Sequence, residues 1–173
     1  MDSASMLDIG LLIARLVVGL LMAAHGAQKL FGWFGGHGLR GTGEFMKQLG
    51  FTPGRTFARA AGMGELCGGL LVALGLLGPI GPAVMIAVMI VAAISVHWRN
   101  GLFATENGIE LPLLYGTAAV GLALGGPGRY SLDHLLGLTT AWTPLVIWGA
   151  LVLGVVGGVA NLTLLRGPSP PAS

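Results

Sequence analysis

The chain has 173 residues, of which 54% are hydrophobic and only 9% charged, and its mean hydropathy is +0.81. A water-soluble domain carries about 25% charged residues, so this composition excludes one and places the chain in a membrane. The formal net charge of +2 reflects a shortage of both signs with no basic run, which excludes a nucleic-acid partner, and the single Cys67 excludes an intrachain disulfide.

The first apolar stretch, Ile9 to Leu30, is long enough to span a bilayer, since about 20 apolar residues at roughly 1.5 Å each cross the hydrocarbon layer. Asp2 and Asp8 precede it where a secretory signal would carry positive charge, so it is expected to be retained. Arg15, His25 and Lys29 lie within it, and lipid tolerates such groups only when they are partnered or wet. Phe31, Trp33 and Phe34 then suit an interface, and the glycines of GGHG break the helix. Thr42 to Leu49 reads as a short amphipathic helix on the membrane surface or as a connecting loop.

The second span, Arg59 to Leu77, carries Glu65 in a glycine-rich sequence. Ala61, Glu65 and Gly69 share one helical face, so the carboxylate is expected to face protein. Cys67 points away from that face and is expected to serve packing. After the turn GPIGP, with Pro82 at the first helical position, a third span runs to about His97 and Trp98. A polar connection leads to a shorter fourth span, Ile109 to Leu124, with Glu110 at its start, four residues after Glu106. Ser131 then caps a short amphipathic piece in which Asp133 favours the helix N-terminus. In the fifth span, Pro144 to Leu165, Ala150, Gly154 and Gly158 form a small-residue stripe suited to helix packing.

The fold expected is an all-α polytopic transmembrane bundle: a four-helix domain over 1–137, an added helix over 138–166 and a flexible tail over 167–173. Basic residues gather in the first and third loops and the tail, which predicts an exoplasmic N-terminus and a cytoplasmic C-terminus. With that orientation His25, Lys29, Glu65, His97 and Glu110 fall in the cytoplasmic half and form a candidate polar site able to pass protons or bind a quinone headgroup. The alternative is that Glu65 neutralises Lys29 or Arg59 and the histidines cap helix ends. Arg15 lies in the other half, with Asp133 as its expected structural ion-pair partner, or Asp8. Haem ligation by His25 and His97 is the less favoured cofactor reading, and the histidines lack the spacing of a metal site.

The Arg in the first span together with HGAQKLFGWFGGHG, FMKQLGFTP, GMGELCGGLLVALGLL, His97, NGIELPLLY and GPGRYSLDHLL resembles the DoxX family of small bacterial membrane proteins, over roughly residues 9–137. The resemblance implies a four-helix membrane bundle that serves as a redox-associated, quinone-linked subunit in the bacterial cytoplasmic membrane. It places family-like polar positions at Arg15, His25, Lys29, Glu65 and His97. The fifth span lies outside the resemblance and is expected to contact a membrane protein partner or a second copy. A structural or assembly subunit and a small transporter or proton pathway are the competing functions.

Overall fold

A computed structural model describes residues 2–167. The chain is helical almost throughout, and the only strand-like pairing among the described residues is the single bridge between Phe51 and Arg166. The helices are α1 (Ser3–Phe31), α2 (Gly38–Gln48), α3 (Gly54–Leu74), α4 (Ile80–Ala92), α5 (Glu110–Gly125), α6 (Leu132–Leu135) and α7 (Pro144–Ala160). α4 runs on through a wide turn, Ala93–His97, to Asn100, and α7 continues to Leu165. The expected tail falls almost entirely outside the described residues.

Four helices are long and apolar enough to cross a membrane, and the chain is a multi-pass membrane protein. The expected fourth span is shorter but still joins the two ends of the bundle, from the Ile109 N–Gly101 O bond at one to the Asp133 N–Gly75 O bond at the other. α5 has 16 residues, about 24 Å of helix against a hydrocarbon layer of about 30 Å. Other boundaries also move. α1 starts at Ser3, where the Asp2 side chain accepts from Ser5 N at 2.8 Å, and it ends at Gly32, whose φ of 75° suits a left-handed cap. The segment after the GGHG turn is a helix and not a loop, with Thr42, Gly43 and Met46 turned inward. Pro82 sits at the third helical position of α4, which begins at Ile80, but still within the first turn where no amide partner is lost. Thr143 caps α7 and Pro144 opens it.

Packing follows the small residues. α1 and α3 approach closely where Gly19 and Gly26 of α1 meet Gly62, Gly69 and Ala73 of α3. A Cβ placed on Gly19 would lie 2.5 Å from Ala73 N and from Gly69 O, so backbone meets backbone there. Gly19→Leu is therefore expected to separate the two helices and cost about 3 kcal/mol, read as a lowered midpoint in detergent unfolding. An unchanged midpoint would show that the contact is not needed. α4 lies at the centre, packed by α3, α5 and α7, and its Met85, Ile86 and Met89 share a core with Met22, Val72 and Leu122.

The stripe on α7 corrects an expectation. Gly154 and Gly158 are buried against Ala83 and Ala87 of α4 in the same chain, so they are spent on intramolecular packing and do not form a free face for a partner. Ala150, on the same stripe, is half-buried. The outer face of α7, with Leu145, Leu153 and Val156, is exposed and suited to lipid. Cys67 is also exposed, on the outer side of α3, and is not a packing residue.

Candidate functional site

The α1–α3 contact that the glycines permit ends in an ion pair. Lys29 lies one turn beyond Gly26 on α1, and Glu65 lies between Gly62 and Gly69 on α3. Lys29 Nζ donates to Glu65 Oε1 at 2.9 Å and stands 2.7 Å from Oε2, although only Oε1 has hydrogen-bond alignment. Glu65 is 3% exposed, so its carboxylate depends on this partner in place of water. It is the one ion pair among the described residues.

The pair forms the polar end of a cavity of about 170 Å3 that also reaches Thr42, Ser95 and His97 and is otherwise walled by apolar side chains such as Phe45, Phe51 and Val91. Ser95 and His97 arrive there on the wide turn that follows α4. Single π turns of this kind often occur at functional sites. His97 Nδ1 lies 2.7 Å from the Asn107 carbonyl, which can only accept, so Nδ1 carries the proton and a neutral ring leaves Nε2 as an acceptor. Ser95 Oγ is buried without a hydrogen-bond partner in the protein, whereas Glu65 Oε2 is held by the Lys29 ammonium.

The cavity has neighbours on both sides. Toward the GGHG turn, an opening of about 420 Å3 lined by Gln28, His37 and Gly41 shares Lys29, Thr42 and Phe45 with it. Toward α7, an apolar space of about 130 Å3 shares Met46, Phe51, Ala61, Val88 and Val91.

Of the expected site residues, Lys29, Glu65 and His97 line one cavity. His25 does not. Its Nδ1 bonds Gln28 Oε1 at 3.1 Å, and its ring meets Tyr115 of α5 edge-on at 5.8 Å. Glu110 is turned to the loop, where its Oε2 accepts from Ala104 N at 2.7 Å, and α5 starts too late to carry Glu106 on the same helix.

Arg15 and Asp133 do come near each other but do not pair directly, which corrects the expected ion pair. Arg15 is 3% exposed and its Nη2 donates to the Tyr130 carbonyl at 2.6 Å. Asp133 is fully buried and its oxygens are already taken by Leu77 N at 2.8 Å, Gly78 N at 2.6 Å and the Trp142 indole at 2.7 Å. Its charge reaches Arg15 only across a gap. Asp8 accepts from Arg129 N instead.

Ser95, Tyr115 and Trp142 were not singled out by sequence. A hydroxyl inside an otherwise apolar third span is the one available signal for Ser95.

The family model for DoxX matches residues 10–98, just over half of the chain, from within α1 to just past the wide turn that follows α4. The chain belongs to the DoxX family. In this DoxX protein the matched region contains Lys29, Glu65, Ser95 and His97, and is narrower than the stretch 9–137 over which the sequence motifs run. α5, Asp133 and α7 lie beyond it. No curated protein and no solved structure matches the chain.

Proposed function

We propose that this DoxX protein is a quinone-site subunit of a redox complex in the bacterial cytoplasmic membrane, with its N-terminus exoplasmic. The observation that carries this reading is the Lys29–Glu65 pair at the end of a largely apolar cavity in which Ser95 Oγ is buried without a partner. A quinone has two carbonyl oxygens that need donors, and Lys29 and Ser95 are donors. The quinol formed from it has two hydroxyls that need acceptors, and Glu65 and His97 Nε2 are acceptors. Reduction takes two electrons from a partner protein and two protons, which reach the ring through the aqueous opening beside Lys29. The excess of Arg and Lys in the loops on that side supports a cytoplasmic location for it.

A second reading is favoured by the pair's own geometry. Ions 2.7 Å apart at a helix contact also lock α1 to α3, which suits a structural or assembly subunit. The two readings separate on Glu65→Gln and Ser95→Ala in protein purified from native membranes. The quinone reading predicts lost quinone occupancy and at least a tenfold fall in partner-dependent quinone reduction (about 1.4 kcal/mol of binding per tenfold), with the unfolding free energy lowered by no more than about 1 kcal/mol. Unchanged occupancy and turnover in well-folded variants would leave only the lock.

A further inference from the structure

We infer that the polar cavity and the apolar space beside it are two lobes of one site for a tailed amphiphile, whose hydrocarbon chain leaves for the bilayer between α3 and α7. The headgroup assignment rests on the quinone reading above, while the path of the tail rests on the geometry of α7.

α3 and α7 both pack on α4 and barely touch each other, so a groove remains between them with α4 as its floor. Small residues keep it open: Ala60 on α3, Ala87 on α4 and Gly157 on α7. The groove meets the polar cavity along a shared wall that includes Phe51, Val88 and Val91. Phe51 is 1% exposed and is held from the far end of α7. Arg166 Nε donates to the Leu49 carbonyl at 2.8 Å, its guanidinium stands 5.8 Å from the centre of the Phe51 ring, and Gly167 N donates to Gly50 O at 2.9 Å. α7 thereby walls the groove and fixes the residue between the lobes.

The chemistry of the two lobes selects the occupant. One lobe ends in an ammonium, a carboxylate, a hydroxyl and an imidazole, and the other offers only apolar contacts apart from Asn161. A molecule with a hydrogen-bonding ring at one end and a hydrocarbon chain at the other matches both. The opening beside His37 carries Gln28, Lys29, His37 and Thr42 with Phe45 as its one large apolar side chain, whereas the groove is apolar along its length apart from Asn161, so the amphiphile enters sideways from lipid.

Gly157 allows a direct test, because it lines the groove while nothing lies within 4 Å of a Cβ built there. Gly157→Leu fills the groove without disturbing α4. Gly149→Leu, equally unobstructed on the same helix and outside the groove, is the control. Binding of a decyl-substituted benzoquinone and of its methyl-substituted counterpart is measured by fluorescence quenching on the full-length protein in detergent. The expected result is an affinity for the decyl compound about tenfold weaker in Gly157→Leu, with the methyl compound within about twofold of wild type and Gly149→Leu unchanged for both. Decyl binding unaffected by Gly157→Leu, while Glu65→Gln still weakens both compounds, overturns the tail path and leaves the headgroup reading standing. Binding of neither compound to the wild-type protein overturns both.

Discussion

Asp133→Ala is expected to lower the unfolding free energy by about 3–5 kcal/mol, the largest effect of any single substitution at the end of the bundle where the α3–α4 turn meets α6. Leu77 and Gly78 have positive φ values of 60° and 48°, and their successive amides converge on the Asp133 carboxylate as on any anion held in a turn. Removing the carboxylate leaves those two amides and the Trp142 indole without partners inside the bundle, and each charge-assisted bond is worth about 1.5–3 kcal/mol. It also leaves the nearby Arg15 with only the Tyr130 carbonyl. Asp133→Asn is expected to fall between wild type and Asp133→Ala, because its amide nitrogen would face donors. Chemical unfolding in detergent, followed by circular dichroism, measures the loss, and a change in Asp133→Ala below about 1 kcal/mol would show that water replaces the carboxylate.

At the other end, Lys29→Met is expected to cost about 3 kcal/mol, because Glu65 remains buried with no cation. Glu65→Gln is milder, at about 1 kcal/mol, since an amide oxygen still accepts from Lys29 and the half-buried ammonium can reach water. The double variant is expected to recover most of the Lys29→Met loss. This non-additivity isolates the pair from general helix packing, and strictly additive losses would mean that the two side chains act independently.

Much of this was legible because membrane chains advertise their spans. The length and apolarity of α1, α3, α4 and α7 follow from composition alone, and a lysine and a glutamate on neighbouring spans had few partners to choose from. Direction was harder to read than position. The Gly154 and Gly158 stripe announced a close helix contact correctly but did not say whose helix, and α4 of the same chain took it. Arg15 and Asp133 were placed together by depth, yet sequence does not reveal that the α3–α4 turn would present two backbone amides to the carboxylate first. Ser95 and His97 depend on a wide turn after α4 that shifts helical register, and no residue pattern in AISVH signals it.

The latch between Arg166 and Leu49 joins residues 117 apart, whereas Lys29 and Glu65 are separated by 36. A ribosome adding about 5–20 residues per second makes the interval roughly 2–7 s for the ion pair and roughly 6–23 s for the latch. During biosynthesis the charged end of the cavity can thus be assembled early, while the wall that α7 provides arrives last. A newly inserted chain passes through a period in which Lys29 and Glu65 are paired but the space beside Phe51 still lies open to whatever lipid surrounds it.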